Sequence, residues 1–139
     1  MIISNKEKLR GHLSALNIEK NSIVWMHIGL KGFGAFEGGL IEIHKALENF
    51  LPEGCLIIPS FTYSWCNNEV YNKKNSSCIE IGAYSEFFRN QKNIIRSDHP
   101  NFSVSFLDNS KKKFISNFLL NNAKNNTSFG DNSIFDLIY

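Results

Sequence analysis

Five glycines crowd positions 29, 32, 34, 38 and 39 in the stretch SIVWMHIGLKGFGAFEGG, residues 22–39. Glycine takes positive φ readily and lets a ligand approach the main chain. Such a loop, opening into a helix, presents unpaired N–H groups and the positive end of the helix dipole, which suits an anion such as a phosphate. The spacing is neither the dinucleotide fingerprint nor a Walker A loop. A plain tight strand-to-helix connection is the alternative. Arg96 offers a planar fork that matches a carboxylate or a phosphate; a salt bridge to Glu86 or Asp98 is the alternative. Glu80 and Glu86 are either an acidic rim for a cationic substrate or solvated helix charges. Among the four histidines, His12 reads as a surface residue and His44 as a surface or packing residue. His27 reads as a hydrogen-bonding partner of the glycine loop, with catalysis as the alternative. Pro100 holds His99 out of the helical region. Cys55, Cys66 and Cys78 lack zinc spacing and read as free thiols in a reducing compartment. Nothing basic flanks Cys66, so no thiol nucleophile is expected, and no metal site is expected.

These residues need a scaffold. Ser4 and Glu7 form a capping box for a first helix striped by Leu9, Leu13 and Leu16. Ile23 to Ile28 reads as a buried strand. Leu40, Ile43, Leu47, Phe50 and Leu51 recur at helical spacing, giving a helix from Gly39 to Leu51. Cys55 to Pro59 is a second short buried strand. A short helix over 83–90, a strand over 103–107 and a helix over 109–120 follow, and Asp131 or Asn132 caps a terminal helix. Alternating strands and helices predict an α/β fold with a largely parallel sheet. Ligands in such sheets gather beyond the C-terminal strand ends, so the loops 29–39 and 60–66 should share one edge. Residues 63–78 lack periodicity and read as a long functional or mobile surface loop. Tyr63, Trp65 and Tyr71 there would stack on a sugar or an adenine, or else pack on the core.

The 139 residues allow one domain with a real core, and 42% hydrophobic content marks a globular chain. A net charge of +2 implies no nucleic-acid surface. Neither a membrane span nor a signal pattern is present, so the expected location is the cytoplasm. Ile134, Phe135, Leu137, Ile138 and Tyr139 keep the last segment apolar, where chain ends are usually polar. The expectation is that something follows it or a partner covers it.

Four ordered motifs resemble the aminoglycoside 3-N-acetyltransferase family. His27-Ile-Gly-Leu-Lys-Gly-Phe-Gly34 with Glu37-Gly38-Gly39 is similar to that family's H-S-S-L-x-S-x-G…G-G loop. Pro59-Ser-Phe-Thr62 is similar to P-T-F-T/S. Glu86-Phe-Phe-Arg89 followed by Arg96-Ser97-Asp98-His99-Pro100 and Ser103 is similar to E-x-F-R…R-S-x-H-P-x-x-S. Phe129-Gly130-Asp-Asn-Ser133 is similar to F-G-x-x-S-P. The resemblance implies a three-layer α/β/α domain and acetyl-CoA as acyl donor. It implies that Lys31, Gly32, Phe33, Gly34, Gly38, Gly39, Ser60 and Thr62 hold coenzyme A, with Thr62 donating toward the thioester. The acceptor would be an amine of an aminoglycoside or another amino sugar. Arg96, Ser97 and Glu86 would lie on the substrate side. His99 is the catalytic candidate within this chain, with shaping of the Arg96–Ser103 turn as its alternative task. Ile28, Gly29 and Gly32 stand where the family loop has serines, which implies a weaker grip on the cofactor. The family's catalytic base, a histidine with a carboxylate partner, lies in a second half with no counterpart here. Residues 1–139 are therefore expected to be a single domain equivalent to the N-terminal half. Either it acetylates amino sugars, or it binds coenzyme A at most and needs a complementing C-terminal half or a homo-oligomeric partner.

Overall fold

The computed structural model of the chain describes residues 3–32, 34–124 and 127–139, without the side chains of Ile3 and Trp65. Strand β4 (Cys55–Pro59) is its axis, buried at every residue. On one side β4 pairs in parallel with β2 (Ile23–Trp25), with Ile23 opposite Cys55 and Trp25 opposite Ile57. On the other it pairs antiparallel with β6 (Val104–Asp108), which pairs antiparallel with the two-residue β5 (Ile95–Arg96). The order is β2-β4-β6-β5, and β1 (Ile3–Ser4) and β3 (Ala35–Phe36) form a separate parallel pair. The α/β class is the predicted one. The sheet is mixed rather than largely parallel, because the connection from β4 to β6 returns the chain in the reverse direction.

Alternation along the strands builds two cores. Leu56 and Ile58 of β4 and Leu107 of β6 face α1 (Lys6–Ala15), α2 (Gly39–Phe50) and α3 (Ala83–Arg89), meeting Leu9, Leu13, Ile43, Leu47, Tyr84 and Phe88. Cys55, Ile57, Val104 and Phe106 face the other way, toward Leu119 of α4 (Phe114–Asn122) and Ile134 of α5 (Ile134–Ile138). Helices on both faces of one sheet make the expected three layers.

Several boundaries differ from the sequence reading. The cap of α1 is Asn5, whose Oδ1 accepts the Lys8 N–H at 3.0 Å. Ser4 is drawn into β1, and its carbonyl accepts the Glu37 N–H at 2.9 Å. Leu16 lies past the helix end and is exposed. β2 is a short edge strand with Ile23 exposed, not a buried one. α4 starts at Phe114 because Lys112 and Lys113 sit in the left-handed region, at φ 59° and 51°. α5 is capped by Ser133, whose Oγ accepts the Asp136 N–H at 3.2 Å, while Asn132 forms the left-handed turn before it. Among the described residues, no helix is long and apolar enough to cross a membrane.

Candidate functional site

Three segments meet beyond the same sheet edge. β2 and β4 run in parallel, so the glycine loop after β2 and the Ser60–Thr62 turn after β4 leave side by side. β6 enters from that edge, and the turn before it is laced to the β4 end: the Ser60 N–H donates to the Ser103 carbonyl at 2.9 Å and the Thr62 N–H to the Asn101 carbonyl at 3.2 Å.

The glycine loop is open main chain. Lys31, Gly32, Gly34, Gly38 and Gly39 are exposed, while Phe33 lies outside the described residues. Gly38 is the N-cap of α2 at φ 77° and gives no side-chain cap, so no cap side chain competes for the first amides of the helix. The charge around it is mixed. A cleft of about 390 Å³ beside Gly38 is lined by Asn5, Lys6, Glu7, Glu37 and Glu42. Its carboxylates outnumber its one lysine, which suits a cation better than a phosphate. A hydrogen bond from Lys45 holds the Glu42 carboxyl below its ordinary range.

Ser60 and Thr62 have buried side chains turned inward. The Ser60 Oγ lies 2.6 Å from the Ser105 Oγ. The Thr62 Oγ1 accepts from the Arg96 Nη2 at 2.6 Å, and the same nitrogen donates to the Ser60 carbonyl at 2.5 Å. The Arg96 Nε donates to the Ser103 Oγ at 3.1 Å, and Nη1 donates to the carbonyls of Ser76 and Lys73 at 2.6 and 3.2 Å. The Tyr71 ring covers the guanidinium, 5.4 Å from ring centre to Cζ. Burial pushes the Arg96 pKa down and the Tyr71 pKa up. The guanidinium is thus saturated by the fold and has no fork left for a substrate anion.

Neither anticipated salt bridge of Arg96 forms. Asp98 pairs with Lys73 at 2.9 Å and Glu86 with Arg89. Partial burial opposes the charge of Glu86, but hydrogen bonds from Arg89, the Cys78 N–H and Ser77 outweigh it and hold the carboxyl down at about 2. Ser97 is buried, and its Oγ accepts the Val104 N–H at 3.0 Å. Arg96, Ser97 and Glu86 are therefore engaged with groups of the fold itself.

His99 also works within the turn. Its Nδ1 accepts the N–H groups of Phe102 and Asn101 at 2.9 and 3.2 Å, and burial lowers its pKa. With Nδ1 an acceptor, neutral His99 carries its proton on Nε2 and has no free lone pair for a general base. His27, read as a loop partner, is exposed against the Trp25 ring. His44 is buried against Phe87 and Phe88. Among the described residues, no cluster of three His, Cys, Asp or Glu forms a metal site, and all three cysteines are free.

Sequence reading did not anticipate an aromatic cluster at this edge. Phe135 meets Trp25, Phe129 and Phe102 at ring separations of 5.3, 5.2 and 6.0 Å, and Phe61 meets Phe102 at 5.2 Å. The sequence signal was that each of the last three motifs carries a phenylalanine, Phe61, Phe102 and Phe129, near its polar residues.

A model of the aminoglycoside 3-N-acetyltransferase family matches residues 25–139. The chain belongs to this family. It is 26% identical over 132 residues to the SPbeta prophage-derived aminoglycoside N(3')-acetyltransferase-like protein YokD of Bacillus subtilis (strain 168), covering 79% of this chain and 48% of that protein. The YokD crystal structure aligns at TM-score 0.76 with 24% identity, over 94% of this chain and 59% of that one. Sisomicin-bound AAC-VIa aligns at TM-score 0.77 with 17% identity, over 95% of this chain and 54% of that one. The binary complex of AAC-IIIb with CoASH aligns at 0.64 with 21% identity, over 76% and 46%. At these identities the structural likenesses are likenesses of fold. The chain spans about half the length of the curated relative it matches, 48% of it.

Proposed function

We propose that the chain provides the donor-binding half of an acetyl-CoA-dependent N-acetyltransferase acting on an aminoglycoside or another amino sugar. The observation that carries this reading is the family match over residues 25–139, which spans every segment at the site edge. The exposed main chain at Gly34, Gly38 and Gly39, with Lys31 as the loop's cation, would hold coenzyme A, while the Gly32 N–H is taken by the Gly29 carbonyl at 3.2 Å. A Cβ built at Gly29, Gly32 or Gly39 meets nothing within 4 Å, so a ligand can lie on the main chain there. The coenzyme supplies the acetyl thioester that the amine attacks. Ser60 and Thr62 serve indirectly: Arg96 locks both, which fixes the turn carrying their backbone past the strand end. The carboxylates of Glu7, Glu37 and Glu42 suit the ammonium groups of the acceptor.

The two N–H groups that His99 Nδ1 accepts speak against it as the base, and the chain covers 48% of its relative. A second reading follows: acetyl transfer needs the portion of the family fold that these residues do not span to bring the base, and residues 1–139 by themselves bind the donor at most. Its three unpaired cysteines favour the cytoplasm as the compartment.

Calorimetry of the purified chain with acetyl-CoA tests donor binding. Saturable heat at one site is expected. Absence of both heat and thermal shift overturns the donor-binding role. Acetylation of an amino sugar by this chain alone would overturn the need for an external base.

A further inference from the structure

We infer that Tyr71 is a positioning residue for the donor: through the Arg96 guanidinium it lets the 63–78 loop set the backbone of the Ser60–Thr62 turn, and with it the affinity for acetyl-CoA. This role rests on the donor reading of that turn.

Two arginines fasten the loop, and they differ in what else they hold. The Arg89 Nη1 donates to the Lys74 carbonyl at 2.8 Å, and its other donors go to Glu86 on the same helix. Glu86 in turn accepts from the Ser77 hydroxyl and the Cys78 N–H at 3.0 and 2.7 Å. That anchor ends on α3. Arg96 instead spans two segments. Its Nη1 holds the carbonyls of Lys73 and Ser76, and its Nη2 holds the Ser60 carbonyl and the Thr62 hydroxyl. A guanidinium is a rigid planar fork, so a tilt that follows the loop also moves the donors that hold the turn.

Tyr71 fixes that tilt. Its ring covers the guanidinium, and its hydroxyl donates to the Ser97 carbonyl at 2.9 Å. Ser97 is itself locked to β6: its N–H donates to the Val104 carbonyl at 2.9 Å and its Oγ accepts the Val104 N–H at 3.0 Å. Pinned to a strand pair at one end, the ring leaves the cation one plane to lie in. Burial of Arg96 and Thr62 strengthens each bond in the chain and couples it to the next. Hydrogen bonds weaken steeply as angles fall away from linear, so a small rotation at Arg96 re-aims the backbone past the β4 end. Tyr71 stands outside all four family-like motifs, between the second and the third. Donor affinity would thus be tuned from a loop whose sequence the motifs leave open. Coupling of this kind is reciprocal, so a bound donor must stiffen the loop in turn.

The test uses the full 139-residue chain, with acetyl-CoA as probe. Substitutions fall on the loop residue, so that the buried guanidinium stays in place. Tyr71→Leu should weaken acetyl-CoA binding in calorimetry by about fivefold or more. In the free chain it should also speed hydrogen exchange at the Thr62 amide, bonded to the Asn101 carbonyl, by about fivefold or more. Tyr71→Phe keeps the ring over the cation and should restore most of both. Arg89→Lys loosens the other anchor: exchange at the Ser76 amide should quicken, while donor affinity and the Thr62 amide stay within about twofold. Saturating acetyl-CoA should slow exchange at Ser76 in the unsubstituted chain and lose that effect in Tyr71→Leu. Affinity that falls alike in Tyr71→Leu and Arg89→Lys, in step with their urea midpoints, overturns the proposal by making Tyr71 a structural prop. An unchanged Thr62 amide in Tyr71→Leu overturns it as well. Absence of acetyl-CoA binding by the unsubstituted chain sinks the donor reading, and the Thr62 amide then decides the coupling by itself.

Discussion

Arg96 shows how a residue that reads as a ligand-binding group becomes an internal clamp. Removing its guanidinium leaves the buried Thr62 hydroxyl and the part-buried Ser76 carbonyl without this donor and takes one of two donors from the buried Ser60 carbonyl. Arg96→Met should lower stability by about 2–4 kcal/mol in urea unfolding and speed proteolysis within 63–78. A loss below about 0.5 kcal/mol would show that the clamp is idle. Its role was illegible in the sequence because four of its five partners are carbonyls and a hydroxyl 20 to 36 positions away, and no spacing rule reaches that far. His99 and His44 carry the second prediction. Burial holds both below the ordinary imidazole value of 6.5. Phe87, Phe88 and Glu48 surround His44, and Phe102 lies beside His99. Depressed folded-state values mean that the unfolded chain takes up these protons first. The stability they contribute is complete above pH 6.5 and drains as pH falls below it. Glu86 adds a separate acid limb, lost as pH falls from 4.5 toward about 2. Urea midpoints against pH should show both limbs, and His44→Leu with His99→Asn should erase the first and leave the second.

The elements were more legible than their ends. α2 was readable because its apolar residues repeat at helical spacing over three turns, and β4 because five consecutive buried residues sit between turn signals. The two-residue β5 leaves no period to detect, and the start of α4 depends on backbone angles that lysine does not advertise. Those angles make a prediction. Lys112 and Lys113 hold left-handed conformations that cost a side-chain-bearing residue about 1 kcal/mol each. Lys112→Gly should raise stability by several tenths of a kcal/mol, the relief being partly offset by the entropy glycine loses on folding. Unfolding at lower denaturant would contradict the geometry. The N-terminus of α2 responds oppositely. Gly38 stands at φ 77°, and a Cβ there would come 2.3 Å from the Cγ of Glu42. Glu42 can swing aside, but the backbone strain remains, so Gly38→Val should cost about 1–2 kcal/mol. Calorimetry should find its acetyl-CoA affinity weakened well beyond that of a Gly11→Ala control, since a Cβ at Gly11 meets open space. Equal affinities would move the donor away from this loop.

At the scale of the whole molecule, the sheet separates two cores, and β4 and β6 each face both of them. Leu56 and Ile57 are adjacent in β4 and fully buried, yet Leu56 belongs to the cluster under α1, α2 and α3, and Ile57 to the cluster under α4 and α5. The sheet between them has only four strands, so neither helix layer has a floor once β4 leaves. Cooperativity must then run through the sheet, with β4 at its centre, and cutting either core should weaken both layers together. Leu56→Ala and Ile57→Ala should each cost about 2–5 kcal/mol. In both variants the fluorescence of Trp25, which packs with the second cluster, should change at the same urea concentration as the far-ultraviolet helix signal that α1, α2 and α3 dominate. A Leu56→Ala chain in which the helix signal is lost while Trp25 fluorescence persists would show two separable layers.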